Sequence, residues 1–477
     1  MKKYSFLIIA SLLIFGSCSD FLELAPEHQI NEQAFYRNEA DFEAALIGTY
    51  APWQGLHNSP LLMLGELTTD NAEITWSSPT TNEVEADENA ITSTNGFVNS
   101  VWSTGFQTVS RCNNILIRLA DAPIDAEVKS QFQAEARFLR AYAYFYLVRF
   151  FGDLPVIEVA FTSPDQVAAY DMTRQPVSDV YAFIEEDLTT AIGLFTRDDL
   201  PKSRASVGAA RTLLGKVYLR QKKYGPAAQV LKDVMDMQVY SLDDDYGRLF
   251  TNNNDNLPES IFEIPYMSGD VGEGNSFSSL FTPPRFDMAI FPDNMQGSGR
   301  IMPTEDIVNA YEPGDARRTA SIGDSVLLVT GDYAHDRYGK KFVDFTVGRQ
   351  GDGGVNFTAL RYADVLLMYA EALNGADDTE NAHTYLNMVR ERADLDPLSG
   401  LSKEDFALAL ERERRVEFFL EGHRWHDLVR TGRLETVMNE YWDNRGLSFS
   451  VEPHEVLMPI PSREISIDPN LKQNPGY

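Results

Sequence analysis

Cysteine is almost missing: the 477 residues hold two, Cys18 and Cys112. With Cys18 at the end of a leader, a disulfide framework is excluded, and Cys112 reads as a buried apolar thiol. Basic residues are also few, 41 Lys and Arg against 71 Asp and Glu, giving a net charge of −30. No stretch is densely basic, so nucleic acid is not expected as a partner. After the leader no apolar run reaches the roughly 18 residues of a spanning helix. The chain has no Gly-x-Ser-x-Gly, phosphate-binding or dinucleotide motif. What remains is an ordinary hydrophobic fraction of 43%, enough for a substantial core.

The leader has its own pattern. Lys2 and Lys3 precede the apolar run Phe6–Phe15, and Gly16-Ser17-Cys18 follows. Ten apolar residues are too few to span a bilayer. Small residues before a cysteine resemble the cleavage box of bacterial lipoproteins, with Phe15 where Leu is usual. Residues 1–17 are therefore expected to be a signal peptide. Cys18 would carry the lipid, whose acyl chains would anchor the protein on a membrane.

Helical periodicity dominates much of the rest. In Arg361–Asn374 (RYADVLLMYAEALN), Tyr362, Leu366, Tyr369, Ala370 and Leu373 form one apolar stripe. A second stripe, Ala382, Tyr385, Leu386 and Val389, follows Gly375, so the two predict an antiparallel helical hairpin. Ala370 and Ala382 stand 12 apart, as do Gly215 and Ala227 in a similar pattern over Ala209–Val234. Small, aromatic and large apolar positions in this order follow the tetratricopeptide pattern. The two units are far apart in sequence, so no simple tandem array is expected. Helices are expected over about 31–50, 106–235 and 361–435, after an extended tether at Phe21–Asn31. Residues 51–105 and 240–360 read as irregular loop regions, with strand-like alternation at Ile261–Tyr266. Phe277, Phe281, Phe286 and Phe291 argue that the second region is ordered. Val451–Tyr477 reads as an extended, Pro-rich tail.

Four segments taken together carry a family. Arg361–Asn374, Arg412–Gly432 (RERRVEFFLEGHRWHDLVRTG), Met458–Ile465 (MPIPSREI) and Asp468–Tyr477 (DPNLKQNPGY) resemble the SusD/RagB family of Bacteroidetes surface lipoproteins. Ala134–Pro155 and Glu259–Tyr266 look like further family segments, and Cys18–Glu23 resembles the lipidated start of such proteins. The resemblance implies a mainly α fold: one domain over 18–477, a tetratricopeptide-like helical-hairpin body with a large irregular loop region carrying short strands. It implies no catalysis and no cofactor. It implies a lipid-anchored, surface-exposed protein of the outer membrane that takes up an oligosaccharide or other polymer-derived nutrient and passes it to a SusC-like TonB-dependent transporter. A periplasmic scaffold of tetratricopeptide type is the alternative, though it leaves the aromatic loops without a use.

A sugar site needs aromatic planes for the C–H faces of the rings, with amides and carboxylates for the hydroxyls. Asp70, Asn71, Trp76, Trp102, Tyr266 and Phe286 are the expected ligand contacts, all in the two loop regions. His423 and His426 stand one turn apart, but no zinc motif surrounds them, and a structural turn is expected. Glu413, Glu417 and Glu421 share one helix face, where an Arg ladder can neutralise them, rather than flanking a cleft as hydrolytic carboxylates must. Asp243-Asp244-Asp245 lacks the Gly and terminal Glu of a helix-loop-helix calcium loop, leaving a solvated turn or a structural calcium held by loop oxygens.

Overall fold

The computed structural model describes residues 35–252 and 254–477. The leader, Cys18 and the expected tether lie outside these residues. The body is helical: α1 (Glu39–Tyr50), α2 (Gly96–Leu119), α3 (Ala126–Phe151), α4 (Val177–Leu194), α5 (Val207–Arg220), α6 (Tyr224–Asp236), α7 (Tyr362–Gly375), α8 (Thr379–Arg392), α9 (Lys403–Glu417), α10 (Arg424–Thr431) and α11 (Leu434–Asn444). Among the described residues, no helix is long and apolar enough to cross a membrane.

The two small-residue hairpins form as the periodicity predicts. A Cβ on Gly215 of α5 would lie 2.5 Å from a methyl of Leu231 on α6, so glycine sets how closely these helices approach. In the α7–α8 hairpin Ala370 and Ala382 are fully buried. Tyr369 there meets Tyr385 edge-on at 4.5 Å. The hairpins also stack on each other. A Cβ on Gly375 would lie 2.4 Å from the Tyr224 ring, the first residue of α6. Residues 237–361, which separate the two units in sequence, are looped out of the stack.

The expectation of an irregular stretch over 51–105 is corrected. Helix Pro52–Asn58 starts on a proline at its first position, and a helix runs over Thr81–Asp87. There the Thr80 hydroxyl caps the Glu83 amide while Glu83 caps Thr80, a reciprocal N-terminal box. The helix expected from residue 106 starts ten residues earlier, where the Asn95 side chain accepts from the Phe97 amide at 2.9 Å. Thr, Ser and Asn in this stretch are caps rather than loop.

The looped-out region carries most of the short strands. β1 (Ala72–Glu73) pairs antiparallel with β3 (Met302–Pro303). β2 (Ser260–Ile264) pairs with β8 (Phe357–Arg361), and both are buried along their whole length. β4 (Ile322–Gly323) pairs with β7 (Tyr338–Gly339), and β5 (Val326–Leu327) with β6 (Tyr333–Ala334). The tail straps the end of α3: the Met458 amide donates to the Phe150 carbonyl at 2.6 Å, and Asn474 Nδ2 to that of Phe151 at 3.1 Å.

Helix α9 ends at Glu417, so Glu421, expected on the same helix face as Glu413 and Glu417, lies beyond it. The Glu417 carbonyl is taken by the Tyr246 hydroxyl at 2.7 Å, Lys341 Nζ at 2.8 Å and Arg361 Nη2 at 2.9 Å. The carboxylates of Glu413, Glu417 and Glu421 are neutralised, but not by a ladder on their own helix. Arg317 pairs with Glu413 and Glu417, Arg361 with Glu417 and Glu421, Arg392 with Glu417, and Lys341 with Glu421.

Candidate functional site

The short strands frame an open cleft of about 390 Å3. One wall is the strand–loop Glu73–Thr75 and the other is Pro283–Arg285, with Met302 and Pro303 at the base and His335–Arg337 at the far side. Its size lies within the range of small-ligand sites. Gly299, at φ +58°, holds the two walls together. Its carbonyl accepts from the amides of Thr75 at 2.9 Å and Trp76 at 3.2 Å. A Cβ on it would sit 2.5 Å from Thr75 Oγ1 and 2.7 Å from Pro284 Cδ, so both walls close on bare backbone.

Three aromatic residues neighbour the lining residues in sequence without lining the cleft themselves. Trp76 is half-buried beside Thr75. Phe286, beside Arg285, is 79% exposed. The Phe286 segment pairs along the β5–β6 hairpin through the Ala289 amide to Leu327 at 2.7 Å and the Val329 amide to Asp287 at 2.9 Å. That hairpin carries Tyr333, 65% exposed, next to His335. Exposed aromatic rings offer apolar planes to water at some cost, and such surface patches mark interaction sites. The polar groups of the cleft are charged and tethered. Arg285 holds Asp287 with two hydrogen bonds, at 2.9 and 3.0 Å, and Asp336 at 2.9 Å. These contacts hold the Asp287 carboxyl below its ordinary range. Glu73 accepts from Arg445 at 2.6 Å. The arrangement offers carboxylate and guanidinium partners to hydroxyl groups.

Of the residues expected to touch ligand, Trp76 and Phe286 each follow a wall residue of this cleft in sequence, Thr75 and Arg285, but neither lines it. The other four are buried. Asp70 is buried, with Arg424 donating to both its oxygens at 2.8 Å and Arg415 at 2.9 Å. Burial pushes its carboxyl up, but the two guanidiniums outweigh that and hold it at about 2. Asn71 is buried too, donating to Glu66 at 3.0 Å and accepting from Arg415 at 2.9 Å. Both act from behind: their carbonyls accept from the Thr304 hydroxyl at 2.7 Å and its amide at 3.1 Å, which ties β1 to β3. Trp102 is 4% exposed within α2, packed on Phe106 and Phe151. It borders a separate groove with Phe161 and Tyr170. Tyr266 is a core residue whose hydroxyl donates to the Gln54 carbonyl at 2.6 Å. Sequence reasoning missed Tyr333 and the His335–Arg337 wall; Gly331-Asp332 between two apolar pairs was the turn signal that could have marked this hairpin.

The remaining candidates are absorbed by the fold. His423 stacks on Phe418 and His426 packs on Phe150, and burial lowers both imidazoles well below their ordinary range. Asp243 is buried and pairs with Arg248 at 2.5 Å, while Asp245 caps the Gly247 amide at 3.0 Å. Among the described residues, no three His, Cys, Asp or Glu side chains converge as a metal site. Cys112 is fully buried, which pushes its thiol up.

Comparison with known proteins follows the same lines. A family model described as the SusD family matches residues 330–477, and one described as starch-binding, associating with outer membrane, matches residues 20–219. A SusD-like protein of Formosa agariphila is 28% identical over all of both chains. The starch-binding protein SusD of Bacteroides thetaiotaomicron is 25% identical over 76% of each. Among solved structures, a laminarin-binding SusD-like protein is 29% identical with a TM-score of 0.77, covering 93% of this chain and 100% of its own. A SusD homolog from Bacteroides thetaiotaomicron reaches a TM-score of 0.81 at 22% identity, over 94% of this chain and 98% of its own, a likeness of fold alone.

Proposed function

Because this chain belongs to the SusD/RagB family, we propose that it is a carbohydrate-binding protein that captures an oligosaccharide in the cleft between Glu73–Trp76 and Pro283–Phe286. The cleft itself carries the reading: an open pocket of about 390 Å3 lined by tethered charges, with the exposed Phe286 ring one residue beyond its Pro283–Arg285 wall. Relatives named for starch and laminarin binding support a glycan as the ligand class. The protein acts as a lipoprotein anchored through Cys18 to the outer membrane, facing outward, and hands its ligand to a SusC-like TonB-dependent transporter. The leader motif and the family model described by outer-membrane association support that placement. It binds without hydrolysis; the helix carboxylates that would suggest a hydrolase are spent on buried ion pairs.

Isothermal titration with starch- and laminarin-derived oligosaccharides tests the binding. Phe286→Ala and Trp76→Ala should each weaken it by about tenfold, the worth of an aromatic face withdrawn from water, on the order of 1–2 kcal/mol. No binding across a broad panel of glycans, or unchanged affinity in both variants, defeats the assignment. No reducing sugar should appear during incubation. Cys18→Ser should move the protein from the membrane fraction to the soluble one, and a membrane fraction unaffected by it defeats the anchor.

A further inference from the structure

Away from the cleft, α3, α5, β8 and α10 enclose a second cavity, of about 70 Å3. Its walls carry the opposite sign to the protein as a whole. Most of its cations are matched. Lys216 pairs with Asp364 at 2.5 Å, Arg414 with Asp364 and Asp427 at 2.8 and 2.9 Å, and Arg430 with Asp427 at 2.8 Å and with Glu371. Arg149 and Arg220 are not: among the described residues, neither has a carboxylate within ion-pair distance. Arg220 has the Tyr181 hydroxyl, a neutral partner. Among the described residues, Arg149 donates only through Nε, to the Phe145 carbonyl at 3.1 Å, and lies over the rings of Phe145 and Tyr146 at 4.1 and 4.5 Å. A guanidinium has five N–H donors, so four of those on Arg149 meet no acceptor among the described residues. Tyr146 accepts from the Tyr142 hydroxyl at 3.3 Å, which leaves its own proton free.

A cation partly withdrawn from water without a counter-charge gives up solvation that a bound anion would restore. Two of them line one cavity in a protein of net charge −30, a local reversal of sign that suits an anion. The room decides its size. A water needs roughly 10–15 Å3 of such space, so 70 Å3 admits a group of about five non-hydrogen atoms but no sugar chain. Arg guanidiniums are suited to planar or tetrahedral oxygens presented in pairs. We infer that this cavity binds one small oxyanion (sulfate, phosphate or a carboxylate), held by Arg149 and Arg220 with the Tyr146 hydroxyl as a further donor. The site shares no residue with the glycan cleft and stands whether or not that cleft binds sugar. Its occupant joins the α3 and α5 helices across the floor formed by β8.

Thermal melts of the full chain test this in sodium sulfate, sodium phosphate and sodium acetate, each against sodium chloride at equal ionic strength. At least one oxyanion should raise the melting temperature saturably by about 2–3 °C, as ligand at about a hundred times its dissociation constant does. Arg149→Gln and Arg220→Gln should abolish the saturable part, leaving only the shallow linear rise that excluded salts give every protein. Arg337→Gln, at the cleft, should respond as wild type does. Isothermal titration with the same salts, on variants whose circular dichroism matches wild type, reads binding without melting. Wild type without a saturable response to any of the three anions, or Arg149→Gln and Arg220→Gln variants that keep it, overturns the inference. Which anion binds separates a mineral from an organic source.

Discussion

Glu417 is the residue on which the joint between the helical body and the loop-bearing strands depends most heavily. Its carboxylate accepts from Arg361 at 2.6 Å, Arg392 at 2.5 Å and Arg317 at 2.8 Å. These three side chains are 2%, 4% and 0% exposed, and none can recover its lost partner from water. Burial alone would push the Glu417 carboxyl up, but the three guanidiniums hold it well below its ordinary range. Glu417→Gln keeps the shape and removes the charge. It also turns an amide N–H2 toward guanidinium donors that offer no lone pair. Removing one partner of a buried pair typically costs about 3–5 kcal/mol. Unfolding entropy of about 2.1 cal/mol/K per residue, over the roughly 440 described residues, is about 0.9 kcal/mol/K, so melting should fall by about 3–5 °C. Differential scanning calorimetry at pH 7 reads this directly. Glu411→Gln is the reference: Glu411 pairs with the more exposed Arg433 at 2.6 Å and only at 3.5 Å with buried Arg424, which keeps Asp70 as its partner, so it should cost less than about 1 °C. Equal melting of the two variants would refute the claim that burial makes the Glu417 cluster matter.

Other outcomes follow from single groups. His57 is buried beside Tyr142 at 3.0 Å, and burial, aided by Arg149, lowers its imidazole to about 3. Between its ordinary value of about 6.5 and 3 the unfolded chain binds the proton and the folded chain does not, so its share of stability is whole above pH 6.5 and is lost as pH falls. His57→Phe should flatten the acid limb of the stability–pH curve by an amount on the order of 3 kcal/mol, read from denaturant melts at pH 7 and pH 4. Gly193, in α4, has nothing within 4 Å of where an added methyl would stand, whereas a methyl on Gly215 would meet Leu231 at 2.5 Å. Gly193→Ala should therefore stabilise by up to about 1 kcal/mol through helix propensity, and Gly215→Ala should destabilise, overpacking of about 1–3 kcal/mol exceeding the same gain. Equal signs for the two in urea melts would contradict the packing of α5 on α6.

The helical hairpins were legible because their signal is local. Period, small residues and the Gly375 stop all lie within one segment, and burial follows the stripes: Leu366 and Ala370 are fully buried. The 51–105 stretch misled because composition was read where position matters. Thr80, Glu83 and Asn95 are polar, but each stands at a helix start, and a cap is polar for that reason. The candidate site shows a harder limit. Phe286 and Trp102 are both aromatics in loop-like surroundings, yet one is 79% exposed and the other 4%. What separates them is Phe106 and Phe151 packing on Trp102.

Asp70 and Asn71 carry that lesson into function. As polar residues six and five positions before Trp76 they look like sugar ligands, but their partners Arg415 and Arg424 arrive from more than 340 residues away. No reading of one segment contains that fact. The consequence is mechanical rather than chemical. The two arginines fix Asp70 and Asn71; the carbonyls of those residues fix Thr304; and Thr304 follows β3 as Asn71 precedes β1, so one cluster sets the spacing of one wall and the base of the cleft. A site that must take successive ligands needs an open, wet rim and a base that does not move. Here the charges are divided to suit: those with exposed surface, on Arg285, Asp336 and Glu73, stand where hydroxyls can reach them, and the buried ones behind hold the frame.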